Sequence, residues 1–273
     1  MKQSAPVWRL IDTGPLDGPS NMALDEALLS CFDPERSLPL LRLYGWHPPA
    51  LSVGRYQDAH AALKLDLCAA DGLPVVRRMT GGGIILHARE LTYSIVCAPR
   101  HLGEATGVKE GFRRLCGFLL GTYRRLGLEP SFATDLNPTG ERLGQPTPFC
   151  FAGTEDFDLL VKGRKIGGNA QRRMRGAILQ HGSIPLESQV QDALRYLREP
   201  APGAAGAVSL AELGLRPELS SLKEMLVEAF EECLGVRLLK QGASADEMLA
   251  AARLEEKKYR CDGWNLKGEA GAA

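Results

Sequence analysis

Cys150 and Lys165 are the pair of side chains whose types suit nucleophilic chemistry by an activated thiol. Cys150 follows Pro148 and Phe149 in a Pro/Gly-rich polar stretch, residues 137–153, that reads as a loop. A thiol of ordinary pKa, ~8.5, becomes a good nucleophile at neutral pH only beside a cation. Lys165 supplies that cation if the fold joins the two. It sits just past Lys162-Gly163, on the return strand of a hairpin expected over residues 158–166. Taken without further context, Cys150 is a bystander loop thiol and Lys165 an ordinary surface lysine. No sequence signature gives Cys150 a histidine of the papain type.

Gly81-Gly82-Gly83 is the second feature with chemical potential. It follows an expected strand, residues 75–78, that ends in Arg77 and Arg78. Successive glycines lose the most entropy on folding, so bare backbone must be needed there. Taken alone the run reads as a tight hairpin or bulge. The functional alternative is a ligand approaching free N–H groups. Neither common phosphate loop, GxxxxGK[ST] or GxGxxG, is present. His87 and His181 each follow an apolar run and read as satisfied sheet-end histidines. Arg172, Arg173 and Arg175 form a small basic cluster, ordinarily a solvated face, that could receive an acidic partner domain. Of the other cysteines, Cys31, Cys68, Cys97, Cys116 and Cys233 read as small core residues, and Cys261 lies in loop-like surroundings.

The elements that must position these groups follow from periodicity and punctuation. Residues 20–31 predict a helix capped by Ser20 or Asn21, with Asp25 and Glu26 near its positive end. Residues 40–46 and 51–56 predict strands parted by His47-Pro48-Pro49. Residues 84–86 and 91–96 predict further strands. Residues 108–126 predict an amphipathic helix, with Phe112, Leu115, Cys116, Leu119, Leu120 and Tyr123 on one stripe. Residues 177–186 predict a strand broken at His181-Gly182. A second helix carries Leu222, Leu226 and Phe230 and closes at Gly235, and a third starts at Ser244. The Pro/Ala/Gly stretch 199–206 predicts a linker between a catalytic core, residues 1–198, and a C-terminal helical extension packed on it, residues 207–273. Hairpins mixed with helices argue for an α/β (α+β) fold with mixed sheets, against a doubly wound parallel sheet.

Composition narrows the classes. The chain has 273 residues, 44% hydrophobic and 24% charged, enough for one sizeable core. Lys plus Arg and Asp plus Glu are balanced at 33 each, so nothing global points to nucleic acid or a membrane surface. Seven cysteines occur without a CxxC or a Cys/His cluster, so no metal is expected. The first ten residues lack the apolar run of a signal peptide, and no stretch approaches the ~20 apolar residues of a membrane span. The expected setting is the reducing cytoplasm.

Three segments together resemble the lipoate–protein ligase and octanoyltransferase superfamily over residues 8–183. They are Asn21-Met22-Ala23-Leu24-Asp25-Glu26-Ala27; Arg77-Arg78-Met79-Thr80-Gly81-Gly82-Gly83, running on to His87 and Glu90-Leu91-Thr92-Tyr93-Ser94; and Gly163-Arg164-Lys165-Ile166-Gly167-Gly168-Asn169-Ala170-Gln171, followed by Leu179-Gln180-His181-Gly182-Ser183. Each alone is weak, and their order makes the set specific. Lys258-Tyr259 and Trp264-Asn265 also look like the family. Within it the chain is most similar to the LipM-type branch, which carries a cysteine on the loop before the hairpin lysine. ATP-dependent ligases usually show His-Asp-x-Gly-Asn after the glycines, whereas here His87 is followed by Ala88-Arg89-Glu90-Leu91. The basic glycine-rich signature of biotin ligases is absent.

The resemblance implies mixed sheets flanked by helices, in the manner of biotin/lipoate ligases and class II synthetase cores. It implies that Cys150 takes an octanoyl group from octanoyl acyl carrier protein as a thioester. A lipoyl carrier domain, glycine cleavage H protein or 2-oxoacid dehydrogenase E2, then receives it on a lysine. Lys165 would stabilise the thiolate and relay a proton. Arg78, Gly81, Gly82, Gly83, His87, Gly168, Ala170, His181 and Gly182 would bind the acyl group and its carbonyl. No cofactor is expected. The alternatives are a lipoate ligase using ATP and Mg, an amidotransferase between carrier proteins, and a non-catalytic carrier-domain binder.

Overall fold

The computed structural model describes residues 5–103, 107–136, 149, 157–201 and 206–269. Cys150, the expected loop 137–153 apart from Phe149, and residues 202–205 of the expected linker lie outside them. The chain begins with β1 (Val7–Leu16), α1 (Gly18–Ser30), β2 (Leu40–Trp46), β3 (Ala50–Val53), α2 (Ala59–Ala62), α3 (Leu65–Ala70), β4 (Val75–Arg77), β5 (Ile85–His87), β6 (Glu90–Cys97) and α4 (Val108–Arg125). It continues with β7 (Pro130–Phe132), β8 (Leu159–Val161), β9 (Arg164–Lys165), β10 (Asn169–Met174), β11 (Ala177–Pro185), α5 (Val190–Leu194), α6 (Leu219–Leu234), β12 (Arg237–Lys240), α7 (Ala245–Leu254) and α8 (Asp262–Asn265).

The main sheet runs β10-β11-β6-β2-β1-β12. β2, β1 and β12 are parallel, and the other neighbours are antiparallel. Two smaller sheets, β4-β3-β5 and β7-β8-β9, carry the chemistry-bearing turns. This is the mixed α/β architecture with flanking helices expected from the sequence. Residues 207–269 carry α6, α7 and α8 and one strand, β12, which joins the main sheet beside β1.

Side-chain alternation sorts the main sheet into two faces. Leu91, Tyr93, Ile95 and Cys97 of β6 pack with Leu115, Phe118 and Leu119 of α4 and Leu222, Leu226 and Phe230 of α6. Each such side chain, fully buried, contributes about 1.5–3 kcal/mol. Gly235, at φ 68°, closes α6 with a left-handed cap. On the other face Val96 and Leu179 meet Leu24 and Leu28 of α1 and Ala251 of α7. α7 starts at Ser244 in a reciprocal cap with Glu247.

Three expectations change. Asp17 caps α1 by accepting from Ser20 N at 2.8 Å, so Ser20 and Asn21 stand inside the helix. Asp25 and Glu26 therefore lie beyond the first turn and make tertiary contacts instead of meeting the dipole. The strand at residues 177–186 is not broken: β11 continues through His181 and Gly182, which pair with Ser94 and Tyr93 on one side and Ala170 and Asn169 on the other. Glycine is needed there for close approach. A Cβ on Gly182 would stand 2.1 Å from Asn169 Oδ1 and 2.9 Å from the Tyr93 ring. Of the five cysteines expected in the core, Cys68, Cys97 and Cys116 are buried. Cys31 is exposed as the cap residue just past α1, and Cys233 is half-buried at the edge of the α4–α6 contact, beside Gly117 and Arg114.

Candidate active site

A cavity of about 740 Å³ opens between the glycine loop, the Lys165 hairpin and the first residues of β10, within the range of small-molecule sites. Ten site residues expected from the sequence line it: Lys165, Arg78, Gly81, Gly82, Gly83, His87, Gly168, Ala170, His181 and Gly182. Cys150 is the one expected residue outside the described residues. Its neighbour Phe149 is buried and bridges in parallel to Ile84, immediately after Gly83. Tyr44, Trp46 and Met22 line the interior, and the exposed Tyr56 and Val108 stand at the cavity wall.

The glycine loop is built around Arg78. Its guanidinium donates to the carbonyls of Gly81 (3.2 Å) and Gly83 (2.8 Å), and on its other side to Ser52 O at 3.0 Å. Gly82 adopts φ 94°, which L side chains rarely take. Gly54 allows the loop to close, since a Cβ there would stand 2.0 Å from Gly82 O. Gly81, in contrast, has open space where its Cβ would be. The C-terminal segment braces the loop from behind. Arg77 donates to the carbonyls of Trp264 and Leu266, while Asn265 Oδ1 accepts from Arg77 N.

Both histidines are buried and committed. His87 Nδ1 lies 2.7 Å from Glu90 Oε1, and Nε2 lies 2.6 Å from Ser52 Oγ. Its ring stacks on Trp46 with centroids 3.9 Å apart. Trp46 Nε1 donates to Thr92 Oγ1, which donates in turn to Glu90. His181 Nε2 meets Thr80 Oγ1 at 2.7 Å and Nδ1 faces Asp25 Oδ2 at 3.5 Å. Burial pushes the His181 pKa down, outweighing the pull of Asp25 toward the charged form. The ring is therefore neutral at pH 7.

Asp25 is the centre of a network that sequence reasoning missed, taking it as a helix-dipole residue. It accepts from Arg42 (2.7 Å), Tyr44 (2.9 Å) and Ser94 (2.8 Å). Burial would raise its pKa, but Arg42, His181 and Ser94 hold it at about 2. Asn21 locks the same corner, accepting from Arg42 and donating to the carbonyls of Leu16 and Gly45. The local sequence signal was a pair of polar residues, Asn21 and Asp25, inside an otherwise apolar helix stripe, and both also fall in the first family-like segment. Asp158 was also missed, being read only as the start of a hairpin. Its Oδ2 lies 2.7 Å from Lys165 Nζ, and both side chains are about 95% buried. Lys165 is thus not the surface lysine its type suggests.

Arg172, expected on a solvated face, is half-buried and donates to Met79 O at 3.1 Å, tying β10 to the segment before the glycine loop. Arg173 is exposed and lines the cavity. Among the described residues no group of three His, Cys, Asp or Glu could hold a metal ion, and no helix is long and apolar enough to cross a membrane.

An apolar-walled cavity with a buried lysine–carboxylate pair, two glycine segments and two buried histidines, set on a mixed sheet, marks a small-molecule site in an α/β protein. Residues 17–231 match the lipoyl protein ligase A/B catalytic domain, and the chain belongs to that family. It is 37% identical to octanoyltransferase LipM of Kyrpidia tusciae over 95% of this chain and 98% of that one. To the octanoyltransferase LipM of Bacillus subtilis it is 36% identical, again over 95% and 98%. Among solved structures it resembles a lipoate-protein ligase A bound with ATP, with TM-score 0.77, 22% identity and 97% and 99% of the two chains covered. A bipartite lipoate protein ligase with its E2 lipoyl domain from Thermoplasma acidophilum gives TM-score 0.81 at 22% identity, over 98% and 99%. At such identity these structures speak to the fold alone.

Proposed function

We propose that the protein is an octanoyltransferase of protein lipoylation, working in the cytoplasm without a cofactor. It takes the acyl group from octanoyl acyl carrier protein and delivers it to a lysine of a lipoyl carrier domain, such as glycine cleavage H protein or a 2-oxoacid dehydrogenase E2. The observation that carries the reading is the buried Lys165–Asp158 pair in the wall of an apolar cavity, in a chain whose relatives named octanoyltransferase match it over nearly their full length.

The Cys150 thiolate attacks the donor thioester carbonyl. The C–S bond to the carrier breaks, and the carrier thiolate leaves with the electron pair and takes a proton. The acceptor lysine, as free amine, then attacks the Cys150 thioester, loses its proton, and the Cys150 thiolate departs. The sum is thioester plus amine to amide plus thiol, downhill without ATP. Lys165 lowers the free energy of the thiolate at both ends of the cycle and accepts or returns the amine proton. Arg78 shapes the glycine loop, while His87 and the neutral His181 are wall groups around the acyl chain.

Intact mass after mixing with octanoyl acyl carrier protein tests this. One octanoyl adduct per chain, released by hydroxylamine, is expected. A protein that stays unmodified yet loads the carrier domain from lipoate only with ATP and Mg is a ligase instead. Carrier-to-carrier transfer of lipoyl groups would identify an amidotransferase.

A further inference from the structure

Among the described residues lining the cavity, two hold a buried side-chain atom with no hydrogen-bond partner: Ser183 Oγ and Asn169 Nδ2. The two address different faces of the sheet. Asn169 pairs with Gly182 and its Oδ1 accepts from Tyr93 OH at 2.6 Å, so it belongs to the α4 face. Ser183 pairs with Thr92, two residues from His181, and belongs to the α1 face. Asn169 is anchored by Tyr93. The Ser183 hydroxyl is anchored by nothing, although the residue is only 4% exposed. A buried hydroxyl left bare forfeits its hydration without recompense, and its retention in a native fold calls for a reason.

The surroundings supply one. Three polar side chains of β6 and β11 line the cavity on this face: Thr92, His181 and Ser183. Thr92 is used by Glu90 and Trp46, and His181 by Thr80 and Asp25. Ser183 is the one left to address a ligand. The chain leading from Lys165 crosses directly over it. Ser183 N donates to Gly168 O at 3.1 Å, and a Cβ on Gly167 would stand 2.3 Å from Ser183 O. An acyl thioester is apolar along its chain and offers one good acceptor, the carbonyl oxygen.

We infer that the Ser183 hydroxyl donates a hydrogen bond to the carbonyl oxygen of the bound acyl group and holds the oxyanion formed when that carbonyl is attacked. This rests on the acyl-transfer reading above. As the thiolate adds to the carbonyl carbon, the π pair moves onto oxygen and the Ser183 bond strengthens. When the pair returns, the carrier sulfur is expelled with the C–S electrons and the bond relaxes. The same donor serves the second attack, by the amine.

The test is Ser183→Ala, with melting temperature and single-turnover octanoyl loading from octanoyl acyl carrier protein measured on one sample. Removing a bare buried hydroxyl should leave the melting temperature equal or higher. Removing an oxyanion donor should slow maximal loading by about tenfold or more, with little change in the donor concentration giving half-maximal rate. Unchanged loading overturns the inference. So does a melting loss that accounts for the slower rate, or a change confined to the concentration dependence. Failure of the wild-type protein to load at all strikes the acyl-transfer reading instead, so the two failures are distinct.

Discussion

The wall beneath α1 and the wall at the β8–β9 hairpin hold their charges in different ways. Beneath α1, Asp25 gathers Arg42, Tyr44, Ser94 and His181 from three central strands. Every partner sits on a long, doubly paired element. At the hairpin, Asp158, just before the three-residue β8, and Lys165, on the two-residue β9, meet as an ion pair. The first arrangement fixes one protonation state, with Asp25 held at about 2 and His181 kept neutral. It makes a rigid wall. The second holds a cation on a short element at the cavity edge, where a charge that is answered and released during reaction belongs. Changes at the hairpin should therefore break chemistry before fold, and changes beneath α1 should break fold before chemistry.

The largest expected effect is at Cys150. Cys150→Ala should abolish octanoyl transfer and the hydroxylamine-labile adduct while stability stays within about 0.5 kcal/mol of wild type. Full transfer by this variant would remove the acyl-enzyme. Lys165→Ala comes next, with a loss of ~100-fold or more per folded molecule, beyond whatever stability is lost by leaving Asp158 unpaired, and Lys165→Arg should not restore it, because a guanidinium does not exchange protons near neutrality. Alkylation of Cys150 against pH supplies the sharper reading. The thiol should titrate higher in Lys165→Ala, since a cation that favours the thiolate is gone. An unchanged profile would leave Lys165 a binding role only.

Arg42→Ala probes the other wall. Breaking a buried pair from one side costs about 3–5 kcal/mol. Chemical denaturation should show that loss, with activity per folded molecule preserved. Activity lost in a protein of wild-type stability would mean that the α1 wall takes part in chemistry and that the contrast between the walls is false.

The glycine loop lies between the walls and separates shape from access. Gly82→Val must strain a backbone at φ 94°, so it should lower the melting temperature first, as a turn requires. Gly81 has open space around its Cβ direction, so Gly81→Val should fold and obstruct the cavity instead. Loading that persists in a folded Gly81→Val protein would remove the loop from the acyl path.

Much of this was visible in the residues themselves. The α4 stripe, the cap at Ser244, the left-handed close at Gly235 and the hairpin bearing Lys165 all follow from local rules, and local rules placed them. The convergence of the glycine loop with residues 165–171 and 181–183 is not local. It depends on β11 pairing with β6, far along the chain, and only the family resemblance anticipated it. What escaped was the identity of partners. Asp25, Arg42 and Asp158 look like ordinary surface charges until tertiary packing buries them together. The strand break at Gly182 was misjudged because glycine marks either a bend or a close approach, and composition does not say which.

The smallest effect concerns pH, and it tests whether the α1 wall holds a neutral His181. Burial lowers the folded pKa of His181 below the ordinary 6.5. The unfolded chain then binds a proton that the native state refuses. The stabilisation from the neutral ring is fully present above about pH 6.5 and is lost as pH falls from there toward the native pKa. His101, held at about 4 mainly by burial, acts with the same sign. Asp25 adds nothing in this window, because its contribution is lost only between 3.8 and about 2. His181→Gln removes its proton from the linkage. Its stability should fall less steeply than that of wild type between pH 6.5 and 5, by at most about 1.4 kcal/mol per pH unit. The slope is the quantity to compare, since the substitution also shifts stability at pH 7 by disturbing Thr80 and Asp25. Parallel slopes from denaturant titrations would mean that His181 titrates like an exposed imidazole, and the rigid, single-state wall beneath α1 would have to be given up.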